Sequence, residues 1–183
     1  LEDIPADWDV ESGKNILWKK PVPQAGYNSP IIWGDRLFIA GGGYNSRNVY
    51  CYNKNNGILI WEKEVTGVPG APAEPPETTD DTGLAAPTMT TDGNRVYAIF
   101  GTGNIIAFTL EGEQVWARNL GVPDNHYGHS SSLINWQGKL FVQYDTREGG
   151  RVLALDAKTG ETIWDKTRNS KISWASPILA SIG

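Results

Sequence analysis

The chain has 183 residues, a formal net charge of −5, 8 Trp, 21 Gly, 11 Pro, one Met and one Cys. Its charges are spread without a Lys/Arg cluster, which argues against a nucleic-acid partner, and no apolar run approaches the ~20 residues of a membrane-spanning helix. An apolar share of 39% that is rich in Trp and Gly but poor in Met favours short strands broken by turns over helices. Cys51 cannot form an internal disulfide, and its neighbours Val49 and Tyr50 predict a buried small residue. The start at Leu1, without Met or a signal peptide, is read as a processed or excised segment.

Residues 1–13 form an acidic, Pro-broken lead-in. Residues 14–21, centred on Asn15–Lys19 and carrying Trp18, read as an orphan outer strand with no preceding partner. A first repeat occupies 29–65, with strands predicted at 30–33, 36–40, 48–53 and 58–65 around turns at Gly34-Asp35 and Asn55-Asn56-Gly57. Residues 66–85, dense in Pro, Gly and acids, read as a long surface excursion, with a lid or partner-binding loop as the alternative. A second repeat occupies 86–120, with strands around 96–100, 104–109 and 114–119. A third occupies 131–167, with strands around 140–144, 151–156 and 162–166. Residues 174–183 begin a fourth, because Ser176-Pro177-Ile178-Leu179 matches Ser29-Pro30-Ile31-Ile32. Four short antiparallel strands recurring in this way are the signature of β-propeller blades. The fold expected is therefore all-β, an incomplete propeller of about three full blades.

The repeats share a motif. Gly stands four residues before Trp at Gly57 and Trp61, at Gly112 and Trp116, and at Gly160 and Trp164, and small residues coincide at Cys51, Ala107 and Ala154. The stretch from Ala154 to Trp164 resembles the A-x-D-x-x-T-G-x-x-x-W repeat of the PQQ-like, or quinoprotein-like, β-propellers. Cys51 to Trp61 matches it more loosely, with Asn53 and Asn56 at the Asp and Thr positions, and Ala107 to Trp116 is one residue shorter. The resemblance runs from Asn15 to Leu179. It implies that Trp18, Trp61, Trp116 and Trp164 dock on turns of neighbouring blades, at Gly57, Gly112 and Gly160 where this chain supplies them. A Trp suits that role, with a large apolar area and an N–H that seeks a carbonyl.

Relatives implied by the resemblance include dehydrogenases that hold pyrroloquinoline quinone and calcium, and an outer-membrane assembly lipoprotein that binds proteins. The dehydrogenases carry an adjacent Cys-Cys pair and a Glu, Asn and Asp set on calcium. This chain has Cys51 alone and no stretch matching those motifs. No catalytic residue, cofactor or metal is therefore expected; quinone and calcium belong to the alternative reading, a fragment of a quinone-dependent dehydrogenase. The resemblance also implies an extracytoplasmic compartment, periplasmic or secreted.

Two polar stretches could carry chemistry. Asp124 to His129 holds both His of the chain beside an acid, yet a structural zinc site wants four ligands, so solvated loop residues are expected. Asp145 to Gly150 reads as a solvated polar hairpin turn. In a propeller, the connection into each blade opens on the same face as the loop between that blade's second and third strands. That face would collect Gln24, Tyr27, Asn28, Tyr44, Arg47, His126, Tyr127, His129, Arg147, Lys171 and Trp174. Loops on a rigid scaffold are the usual place for binding. The function expected is a non-catalytic binding module for a protein or glycan partner, able to self-associate through open propeller edges.

Overall fold

The computed structural model describes residues 5–181. Twelve strands are formed among them, in three four-stranded antiparallel sheets. The first sheet is β1 (Ile31–Trp33), β2 (Arg36–Gly42), β3 (Arg47–Asn53) and β4 (Leu59–Glu64). The second is β5 (Thr90–Thr91), β6 (Arg95–Ile99), β7 (Asn104–Thr109) and β8 (Gln114–Asn119), and the third is β9 (Ile134–Trp136), β10 (Lys139–Thr146), β11 (Gly149–Asp156) and β12 (Thr162–Arg168). In each sheet every strand pairs with the one next to it in sequence, which is the order of a propeller blade.

Turn chemistry sets the hairpins. Between β9 and β10, Gln137 and Gly138 both have positive φ (48° and 72°), the two-residue turn whose twist matches its strands. A β-bulge falls at the same place in every blade, between Cys51 and Tyr52, Ala107 and Phe108, and Ala154 and Leu155. Just before each bulge the small residue sits opposite the Trp: Cys51 against Trp61, Ala107 against Trp116, Ala154 against Trp164. Only a small side chain leaves room there for an indole. The buried Cys51 thiol is pushed up to about 11 by desolvation, as suits an inert core residue.

The cores lie between sheets. In the second sheet Val96, Ala98, Ile106 and Phe108 face the first sheet's Phe38, Val49 and Cys51, while Tyr97, Ile99, Ile105 and Ala107 face the third sheet's Leu140, Leu153 and Leu155. The alternation is the two-residue period of a strand buried on both sides. Trp18, Trp61 and Trp116 each lay the indole over a glycine turn of the following sheet, at Gly57, Gly112 and Gly160. All three glycines have positive φ, and a Cβ on any of them would fall under 3.0 Å from the ring. The indole N–H groups donate to Lys54 O (2.7 Å), Leu110 O (2.9 Å) and Ala157 O (3.1 Å). Near the inner strands a second set of bonds links the blades: Ser29 N–H donates to Thr88 Oγ1, Thr88 N–H to Ser132 Oγ, and Ser132 N–H to Ser176 Oγ, at 3.0–3.1 Å.

Four expectations need correction. Residues 14–21 form no strand; the stretch has an isolated bridge at Lys14 and a left-handed Asn15 (φ 55°), and among the described residues no strand lies beside it to complete a ladder. Trp18 reaches its glycine all the same, and Trp18, Lys20 and Val22 line a cleft with Leu37, Ile39 and Tyr52 of the first sheet. Residues 174–181 likewise carry no strand, although Ser176 takes part in the hydroxyl series; the remainder of 174–183, like residues 1–4 of the lead-in, lies outside the described residues. The 66–85 segment is not wholly on the surface, for Val68 and Ala85 enter the first core and Leu84 is buried. Finally, the four Trp are not equivalent: Trp61 is 8% exposed, whereas Trp164 is only half-buried, stacks on Phe141, and meets no glycine turn among the described residues.

Candidate functional site

Each blade's incoming connection is tied to its own second-to-third-strand loop by a backbone hydrogen bond. Gly42 N–H donates to Ala25 O (2.8 Å), Gly101 N–H to Leu84 O (2.8 Å), and Arg147 N–H to Asp124 O (3.1 Å). The bond recurs because the propeller brings the same two loops to one end of every sheet. The result is a single face whose loop pairs are held together by backbone bonds.

The 66–85 segment crosses that face as a strap. Around residues 78–82, Tyr27 Oη donates to Asp80 O (2.6 Å) on one side, and on the other Gly128 sits so close that a Cβ there would lie 3.0 and 3.2 Å from the methyls of Thr78 and Thr82. Pro75, Pro76 and Thr78 line a cleft with Tyr44, while Pro76 and Glu77 line another with His126 and Arg147. The strap therefore lies between Tyr27 and Tyr44 on one side and His126 and Tyr127 on the other. On the far side Tyr127 packs against Trp174 in a tilted contact with ring centroids 5.4 Å apart, and His126 against Tyr127 at 4.0 Å, also tilted. Tyr27, Tyr44, Tyr127 and Trp174 are all exposed.

The remaining residues expected on the face divide. Lys171 is exposed, as is Arg147, whose guanidinium lies 3.4 Å from Asp124; such a surface pair adds little stability. Gln24 and Arg47 are half-buried, and Gln24 donates to Ser46 Oγ. Asn28 is not available on the face. It is buried, donates from Nδ2 to Ala40 O (2.7 Å) and Ala85 O (2.8 Å), and accepts from Ala40 N–H, so it ties its connection to β2 and to the next blade. His129 is not a solvated loop residue either: it is 2% exposed and stacks on Tyr144 at 4.9 Å. Desolvation pulls its pKa down to about 4, so the ring is neutral at ordinary pH. Its Nε2 has no hydrogen-bond partner among the described residues. The two His stack on different tyrosines, and among the described residues no three His, Cys, Asp or Glu side chains gather where they could hold a metal.

Asp145 also departs from the solvated turn expected of it. Its side chain is fully buried, accepting from Gln143 Nε2 (3.0 Å) and Ser170 Oγ (3.2 Å), with Arg168 Nη1 at 3.5 Å. An ionised carboxylate can be buried when it is paired and hydrogen-bonded in this way. The arrangement braces 168–170 against β10 and so steadies the segment leading to Lys171 and Trp174. Tyr144, beneath His129, donates to Gly121 O (2.5 Å) and holds the connection after β8. Neither Asp145 nor Tyr144 was legible as a bracing residue, because each acts on a segment distant in sequence.

A family model described as outer membrane protein assembly factor BamB matches residues 6–175. Similar solved structures include the quinohemoprotein alcohol dehydrogenase of Comamonas testosteroni, 17% identical with a TM-score of 0.61 over 79% of this chain and 21% of that one. BamB of Moraxella catarrhalis is 16% identical with a TM-score of 0.55 over 82% of this chain and 38% of that one. The computationally designed Ika4 protein is 9% identical, with a TM-score of 0.57 over 88% and 84% of the two chains. This chain thus spans well under half of those two natural proteins, and at such identities the likeness shows the fold. No curated protein sequence matches. Among the described residues no helix is long and apolar enough to cross a membrane.

Proposed function

Because the chain belongs to the family of the outer membrane protein assembly factor BamB, we propose that it is a non-catalytic propeller module that presents its loop face to a protein partner in an extracytoplasmic compartment. The observation that carries this reading is the face itself: three loop pairs tied by backbone bonds, crossed by a strap, with the exposed rings of Tyr27, Tyr44, Tyr127 and Trp174 around it. Exposed aromatic rings on a pre-formed surface are the residues that supply most of the energy at protein interfaces. The family's description as an outer membrane protein assembly factor favours a protein partner over chemistry on a small molecule. The proposed module needs no cofactor. Asn28 is engaged with the backbone of Ala40 and Ala85, and Asp145 with Gln143 and Ser170.

The non-catalytic half of the proposal is tested with pyrroloquinoline quinone and calcium. The purified chain is expected to keep its thermal midpoint when both are added, and to reduce no dye with alcohols or sugars as donors. A stoichiometric quinone complex that turns over would replace the module with the dehydrogenase reading.

A further inference from the structure

We propose that the row of rings formed by His126, Tyr127 and Trp174, together with the cleft beside it, binds a neutral oligosaccharide. This rests on the reading of the loop face as a binding surface and adds a ligand class to it. Tyr127 and Trp174 are each 44% exposed, so both keep ring surface free while their contact fixes their mutual orientation. His126 continues the row and also lines an open cleft of about 390 Å³ with Pro76, Glu77 and Arg147.

The chemistry of the two parts is complementary to a sugar ring. A pyranose has one face of C–H groups, weakly positive and suited to the negative face of an aromatic ring. Its edges carry neighbouring hydroxyls, each able to donate and accept. Asp124 and Arg147, 3.4 Å apart in the cleft, offer two planar polar groups with paired acceptors and donors, and Glu77 adds a third. Asp124 and Arg147 offset each other and Glu77 adds one excess negative charge, which disfavours an acidic sugar and leaves a neutral one.

The site is also held in place. Arg147 N–H donates to Asp124 O (3.1 Å), Tyr127 N–H to Asn125 Oδ1 (3.3 Å), and Gly128 is packed so closely on the strap that a Cβ there would lie 3.0 Å from the Thr78 methyl. A fixed platform avoids the ordering cost that weakens most sugar binding.

The test uses the full chain, ¹⁵N-labelled, titrated separately with maltohexaose, cellohexaose and chitohexaose. At least one is expected to move the Trp174 indole N–H and the backbone signals of His126 and Tyr127. Removing one ring, by Tyr127→Ala or Trp174→Ala, is expected to weaken that binding about tenfold, the scale of an aromatic contact. Trp136→Ala, an exposed ring at a hairpin end away from the loop face, is expected to leave the Kd unchanged. No shift with any of the three sugars at millimolar concentration, or shifts that survive both ring deletions, would overturn the inference. A protein partner that binds this face while no sugar does would overturn it and leave the proposed function standing.

Discussion

Trp61→Ala is expected to lower the free energy of unfolding by about 3–5 kcal/mol, the usual cost of emptying a buried aromatic site. Trp61 is buried between Phe38 and Phe108, with ring centroids at 5.8 and 6.0 Å, covers Gly112, and donates to Leu110 O. Its loss would open a cavity in the first core and remove one of the two donors to Leu110 O, leaving only Arg36 Nη1. Trp136→Ala provides the comparison. That ring is 50% exposed at a hairpin end, and its removal is expected to cost less than about 1 kcal/mol, in the range of surface substitutions. Denaturant midpoints of the two variants measure the difference; equal shifts would mean that Trp61 does not hold blade to blade.

The second large effect is a loss of stability in mild acid that traces to His129. In the folded chain its pKa is lowered from 6.5 to about 4 by burial. The unfolded chain therefore binds a proton at this residue, below pH 6.5, that the folded chain does not. For a base with a depressed folded pKa, the stability it allows is complete above the unfolded value and is lost as pH falls from 6.5 towards 4. Between neutral pH and pH 5 the difference amounts to about 2 kcal/mol. His129→Leu removes the titrating ring and is expected to flatten this part of the profile, leaving only the carboxylate contribution shared with the parent chain. Parallel profiles for parent and variant between pH 7 and pH 5 would show that His129 is reached by solvent.

The blade repeat could be read from the sequence because its determinants are local. A glycine at positive φ and a Trp four residues later mark each outer hairpin, and the small residue opposite the Trp follows from the bulge between them. The sheet-to-sheet core was implicit in the same way, since strands such as β6 and β7 are apolar on both faces. The errors fall where the deciding contact is distant. Residues 14–21 look like a strand, yet a strand needs a neighbour, and Trp18 finds its glycine without one. Asn28, His129 and Asp145 are polar residues in loop-like stretches, and the first reads as a binding-face residue and the other two as solvated. They are buried because Ala85, Tyr144 and Ser170, respectively, come against them from other segments. The strap gave a mixed signal: its Pro and acids point to the surface, while Val68, Leu84 and Ala85 at its ends are the apolar residues that anchor it. Its course across the face rests on Tyr27 and Gly128, and nothing in 66–85 itself announces either contact.

Site-specific photocrosslinking tests the proposed binding face most directly. A photoreactive phenylalanine analogue would be placed singly at Tyr44, Tyr127, Trp136 and Ile163 in the source cell. Tyr44 and Tyr127 belong to the loop face; Trp136 closes a hairpin at the other end of β10 from the face loop, and Ile163 is exposed on the outer strand β12. The account predicts a discrete protein adduct from Tyr44 and Tyr127 and none of that mass from Trp136 or Ile163. Adducts from Ile163 or Trp136 with none from the two tyrosines would contradict it, because the partner would then sit on the outer edge or the opposite end of the blades.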